Sequence, residues 1–158
     1  MAEEYGAPAQ ITPTRLGDYL EAMSKSVFQS GMSWKVLKSK WPALREAFRE
    51  FDATTVASLT EGEIAELAQD PRIIRNRRKV EAIVDNARRM IELDEEHRGF
   101  KNYLRSQGDF ELTVKDLRKD FRFLGDSGAY IFLYVVGEPV PEYDDWCKSR
   151  GREHSHDH

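Results

Sequence analysis

The stretch from Thr113 to Trp146 constrains the fold more than any other part of the chain. Val114, Leu117 and Phe121 share one face of a short amphipathic helix, which runs into Phe123-Leu124-Gly125-Asp126-Ser127-Gly128. An apolar helix follows from Ala129 to Val136 and stops at Gly137. Two helices joined by a tight glycine-bearing turn read as a helix-hairpin-helix. At the start of its second helix, Leu124 to Gly128 offer backbone N–H groups suited to a phosphate. Seven residues past Gly137, beyond two prolines, stands Asp144. A phosphate grip followed at this distance by a carboxylate implies binding to a DNA backbone coupled to chemistry on the sugar.

The rest of the chain reads as helices of moderate length. Thr12 with Pro13 behind it predicts a helix from Pro13 to Gln29, with Leu16, Tyr19, Leu20, Met23, Val27 and Phe28 inward and Gly31 as its stop. Ser33 predicts the start of a short helix carrying Trp34, Val36 and Leu37. Pro42 predicts a separate one carrying Leu44, Ala47, Phe48 and Phe51. Asp52 caps a brief turn through Val56 and Leu59, and Thr60 with Glu63 makes a capping box for Ile64 and Leu67. Asn76 caps a helix with the stripe Val80, Ile83, Val84, Ala87 and Ile91; Phe100, Tyr103 and Leu104 mark one more short segment. No run alternates with period two. The fold class is all-α. Residues 1–11 read as a flexible lead-in, 12–150 as the helical domain and 151–158 as a flexible tail holding three histidines.

Composition narrows the setting. At 158 residues, 40% apolar and 33% charged, the chain suits one globular domain, or two small lobes sharing a core. Its N-terminus is acidic and weakly apolar, unlike a secretory signal, and no apolar run is long enough for a membrane span. A lone cysteine, Cys147, excludes an internal disulfide and fits a reducing cytoplasm. The net charge of −4 argues against indiscriminate nucleic-acid binding. A local basic face remains open, because Arg72, Arg75, Arg77, Arg78 and Lys79 crowd one stretch.

Several segments together resemble the 3-methyladenine DNA glycosylase I family of the helix-hairpin-helix glycosylase superfamily. They are Phe28 to Trp34, Ile73 to Val80, Asn86-Ala87-Arg88 and Phe121 to Gly125, in this order and at similar spacing. The resemblance implies a two-lobed fold with an interlobe cleft, and removal of an alkylated purine flipped out of duplex DNA. It places Trp34 as the aromatic under the flipped base, with Ser26 and Phe28 beside it, and Met32 as the wedge that fills the vacated stack. A methylated purine carries positive charge and gains from an indole face. A plain core position is the other reading of Trp34, and without the resemblance Met32 reads as core. Arg75, Arg77 and Arg78 are the candidate phosphate contacts, with bridging of the lobes as their other reading.

Three departures qualify the match. Ser26 occupies the position of the family's base-reading glutamate. No Cys or His precedes His97, so the family's N-terminal zinc ligands are missing, and no structural metal is expected from Cys147, His154, His156 and His158. Gly137 to Asp144 resembles the superfamily's Gly-x-Pro-Val-Pro-x-x-Asp segment, so Asp144 falls on an aspartate that this subtype usually lacks. It reads either as the group that stabilises an oxocarbenium-like sugar or as a helix cap. Ser127 stands where bifunctional superfamily members carry a Schiff-base lysine, which implies water as the nucleophile. The expected protein is a monomeric, monofunctional glycosylase acting on double-stranded DNA with damaged bases. It needs no cofactor beyond a monovalent cation at the hairpin. The alternatives are a catalytically degenerate lesion-binding relative and a helical interaction protein with no DNA role.

Overall fold

The computed structural model describes residues 8–30, 32–73 and 75–156, with side chains through Arg150. Nine α-helices and no strand occur among these residues. They are α1 Leu16–Gln29, α2 Trp34–Ala47, α3 Ala53–Ala57, α4 Glu61–Gln69, α5 Arg77–His97, α6 Phe100–Arg105, α7 Phe110–Asp120, α8 Asp126–Val135 and α9 Tyr143–His156. α1 and α5 pack against each other and form the shared spine. α3 and α4 lie on α5 on one side, while α6 adjoins α5 and α8 adjoins α1 on the other. The core runs through both sides without interruption, from Phe28, Phe48 and Phe51 to Leu117 and Phe132.

Local signals set several helix starts as expected. Asn76 accepts from the Lys79 N–H at 3.2 Å to open α5, and Asp52 accepts from Thr55 to open α3. Thr60 and Glu63 bond reciprocally at 3.0 and 3.2 Å at the head of α4. α8 ends at Gly137, whose φ of 81° suits glycine; Glu138 N–H returns to the Leu133 carbonyl at 3.0 Å, closing a Schellman turn.

Three boundaries differ from expectation. α1 begins at Leu16 rather than Pro13, because the Asp18 carboxylate takes the Thr14 and Arg15 N–H groups at 2.8 and 3.3 Å. α2 continues through Pro42 instead of restarting there. Pro42 and Lys38 both lie on the exposed face, so the carbonyl that proline leaves without a donor is on the solvent side, while Leu37, Trp41 and Leu44 bury the other face. Phe51 is not helical: Arg49, Glu50 and Phe51 form a left-handed turn with φ of 54°, 58° and 56°. The Phe51 ring stacks on Trp41 at 5.3 Å and on Phe48 at 5.4 Å, and this aromatic stack offsets the backbone cost. The turn also requires a glycine opposite, since a Cβ on Gly17 would come within 2.6 Å of the Phe51 carbonyl oxygen.

Of the expected lead-in and tail, residues 1–7 and 157–158 lie outside the described residues. Ile11 N–H bonds the Val135 carbonyl at 2.8 Å and Gln10 the Tyr134 carbonyl at 3.0 Å, so residues 8–11 lie against the end of α8. α9 stays helical to His156, beyond the expected boundary at 150. None of the described helices is long and apolar enough to cross a membrane.

Candidate nucleic-acid interface and base pocket

The hairpin forms as α7, a turn and α8, but the residue that reverses the chain is not glycine. Phe123 holds the left-handed conformation, φ 57°, while Gly125 sits at −84° as the N-cap of α8. Two contacts support the turn. Asn86 of α5, buried, donates to the Arg122 carbonyl at 3.1 Å and accepts from the Arg122 N–H at 2.8 Å, as a neighbouring strand would. The Arg78 guanidinium lies 5.7 Å from the centre of the half-exposed Phe123 ring. The first intrahelical bond of α8 runs from Ala129 N–H to Gly125, so the N–H groups of Asp126, Ser127 and Gly128 precede it. A Cβ on Gly125 would meet nothing within 4 Å, so that glycine keeps the approach to these donors open. Gly128 lies in a tighter place: a Cβ there would come within 3.2 Å of the Leu124 Cδ1 and 3.8 Å of the Ser26 Cβ.

Charge around the hairpin favours an anion in spite of the acidic total. The Asp126 carboxylate is held between Arg118 at 2.9 Å and Arg150 at 3.1 Å, one acid against two guanidinium groups. Arg122 pairs with Asp85. Of the arginines expected to meet phosphate, Arg78 adjoins the hairpin and Arg75 is exposed with no ion pair to another described residue. Arg77 turns away, bonding Glu81 at 2.7 Å and Glu61 at 3.4 Å; it braces the start of α5. Sequence reasoning missed Arg118, Arg122 and Arg150, which only the fold gathers here.

α9 reaches the hairpin by aromatic packing. Trp146 stacks on Tyr130 at 4.6 Å and meets Phe110 edge-on at 6.3 Å, which carries Arg150 back to the start of α8. Asp144 is exposed in the first turn of α9. It does not cap that helix: the Glu142 side chain accepts from the Asp144 and Asp145 N–H groups at 3.2 and 3.1 Å.

The base-pocket candidates separate into two environments. Trp34 lines a cavity of about 550 Å³ together with Lys25, Lys38, Trp41, Pro42 and Arg45. Trp41 joins Trp34 on one face because α2 runs unbroken through Pro42, two helical turns apart. The Lys25 ammonium sits 5.5 Å from the centres of both indoles. Burial pushes its pKa below the usual lysine range, against the pull of the Glu21 carboxylate. Glu21 accepts from Trp41 Nε1 at 2.8 Å and from Arg45 at 3.4 Å. Neither Lys25 nor Trp41 was anticipated; their spacing from Glu21 and Trp34 was the available signal.

Ser26 points elsewhere. It is 3% exposed, packs toward Gly128 and Leu124, and its Oγ has no hydrogen-bond partner among the described residues. Phe28 offers no wall for a base: it is fully buried, with its ring against Trp41 and Phe48. Met32 is half-buried at the α1–α2 connection, next to Ser30, whose carbonyl takes the Lys79 ammonium at 2.6 Å. A second cavity of about 470 Å³, between α6, α7 and Glu138, includes none of the candidate residues. Among the described residues no cluster of His, Cys, Asp or Glu is arranged to hold a metal ion. Cys147 is exposed, and the side chains of His154, His156 and His158 lie outside the described residues.

Comparison with known proteins bears on this arrangement. Residues 4–122 match the model of the methyladenine glycosylase family. The chain is similar to DNA-3-methyladenine glycosylase 1 of Escherichia coli K12, 35% identical over 130 residues, covering 69% of this chain and 70% of the relative. Similarity to the Haemophilus influenzae DNA-3-methyladenine glycosylase is 27% over the same length and coverage. A crystal structure of 3-methyladenine DNA glycosylase I superposes with a TM-score of 0.71 at 25% identity, covering 80% of this chain and 81% of that one. The Staphylococcus aureus 3-methyladenine DNA glycosylase I, at 24% identity, shares the fold with a TM-score of 0.73 over 85% and 84% of the two chains.

Proposed function

We propose, proceeding from the fact that this chain belongs to the methyladenine glycosylase family, that it hydrolyses the N-glycosidic bond of an alkylated purine flipped from duplex DNA, in base excision repair. The observation that carries the reading is the α7–α8 hairpin, whose open N–H groups at Asp126, Ser127 and Gly128 lie among Arg78, Arg118, Arg122 and Arg150. Phosphate at a helix N-terminus flanked by guanidinium groups is a favourable pairing of geometry and charge.

In the proposed reaction the hairpin holds the backbone beside the lesion, with Arg75 and Arg78 as further phosphate contacts. Met32 enters the vacated stack and the base lies on Trp34. The C1′–N bond breaks with both electrons leaving on the base, so a cationic methylpurine departs neutral. The positive charge that develops on the sugar is stabilised by the Asp144 carboxylate, which also takes a proton as water adds to C1′. Ser127 supplies no amine for a Schiff base, so the reaction stops at the abasic site. It requires no cofactor, and the one ion it admits is a monovalent cation at the hairpin carbonyls. We place the protein in the cytoplasm, acting as a monomer.

Base release from dimethyl-sulfate-treated duplex DNA, read by mass spectrometry, tests the reading. Release of 3-methyladenine above background supports it. Salt-sensitive DNA binding without release would leave the second reading, a lesion-binding relative without chemistry, which Ser26 at the family's glutamate position favours.

A further inference from the structure

The wall of the Trp34 cavity already carries a cation. Lys25 Nζ lies 5.5 Å from the ring centres of Trp34 and of Trp41, and all three residues line the same cavity. A base stacked on Trp34 inside that cavity meets this nitrogen. The charged groups around it are Glu21 on α1, Lys38, Arg45 and Glu46 on α2, and Glu50 on the left-handed turn. With Lys25 as an ammonium, the three cations Lys25, Lys38 and Arg45 match the three carboxylates Glu21, Glu46 and Glu50. With Lys25 as an amine, the cavity carries one net negative charge.

That difference separates the two kinds of base a repair enzyme meets. Alkylation at a purine ring nitrogen creates a permanent cation, which gains from an indole face and loses beside an ammonium. We propose that Lys25 is the specificity-determining residue of this pocket: it admits a cationic alkylated base only as the neutral amine and turns that base away as the ammonium. The inference rests on the glycosylase reading for its biological substrate, but concerns the pocket alone. Burial lowers the pKa of Lys25, against the pull of the Glu21 carboxylate.

The binding experiment uses 3,9-dimethyladeninium, a permanently cationic stand-in for the methylated nucleoside, read by tryptophan fluorescence from pH 6 to 9.5. Wild-type affinity is expected to rise with pH, by up to about tenfold per unit, as Lys25 loses its proton. Lys25→Met is expected to bind with pH-independent affinity, above wild type at pH 7. Lys25→Arg, charged throughout, binds weakly at every pH. Far-UV circular dichroism melts establish that each variant is folded. A wild-type profile that is flat, or one that Lys25→Met preserves, overturns the proposal; so does absence of binding in all three proteins. Parallel base-release assays keep the two readings apart: pH-gated binding without release sinks the glycosylase reading and leaves the pocket inference standing. Release without the pH gate does the reverse.

Discussion

The hairpin and the Trp34 pocket are two halves of one proposed site, and they are built on different principles. The hairpin offers backbone N–H groups, and its support comes from Asn86, which bonds the Arg122 main chain on both sides. The pocket is made of side chains, with an ammonium against two indoles. The family match ends at Arg122, before the turn of the hairpin, yet the geometry of the hairpin is complete. The pocket lies inside the matched span and is the part that departs. Backbone sites tolerate substitution because every residue but proline brings the same donor. Side-chain sites change their chemistry with a single residue, so holding DNA and choosing a base can drift apart.

The sharpest attempt to break this comparison is Asp144→Asn. Base release is expected to fall about 100-fold with DNA affinity unchanged, because only the developing sugar cation loses its partner. Equal rates for wild type and variant would remove Asp144 from the chemistry. Next comes Trp34→Ala, for which loss of a stacked base predicts a drop of roughly 30-fold in kcat/KM, with the salt dependence of DNA binding retained. A matching loss of DNA affinity would make Trp34 part of the backbone grip. Arg150→Gln acts on the other half. It should weaken binding to all duplexes alike and flatten the slope of log affinity against log salt by about one, as a fluorescence anisotropy series would show.

The smallest effect concerns the frame that both halves share. Glu63 is held down to about 2 by the Thr60 N–H, the Arg49 guanidinium and the Thr60 hydroxyl. A carboxyl lowered in the fold stabilises it fully above the ordinary value of 4.5, and that contribution disappears as pH falls toward 2. Thermal melts of Glu63→Gln should show a lower Tm at neutral pH and a shallower acid decline than wild type. Parallel curves would assign the decline to Asp18, Asp52 and Asp70, whose carboxyls are lowered as well.

What could be read in advance was local. Asp52, Thr60 with Glu63, and Asn76 announce their helices because a cap and its target lie three residues apart. Pro42 misled because a missing N–H is visible in sequence, whereas the exposure of the Lys38 carbonyl it should have met is not. The turn at residues 49–51 and the reversal at Phe123 use left-handed backbone without glycine, so no residue type marks them. Arg118 and Arg150 converge on Asp126 only through the packing of Trp146 on Tyr130. Phe28 entered the pocket list by its place in a motif and left it by its burial.

The left-handed turn also sets a conflict between robustness and use. Its three non-glycine residues hold a conformation that costs roughly 1–2 kcal/mol each relative to an ordinary one. Glu50, in the middle, lines the cavity of Trp34 and Lys25, and its carbonyl takes the Arg15 guanidinium at 2.7 Å. A glycine at position 50 relaxes the backbone and removes the carboxylate from that wall in the same stroke. Selection for thermal tolerance alone would therefore be drawn to the wall of the site, and a hardened variant would be the one to check first for lost discrimination between bases.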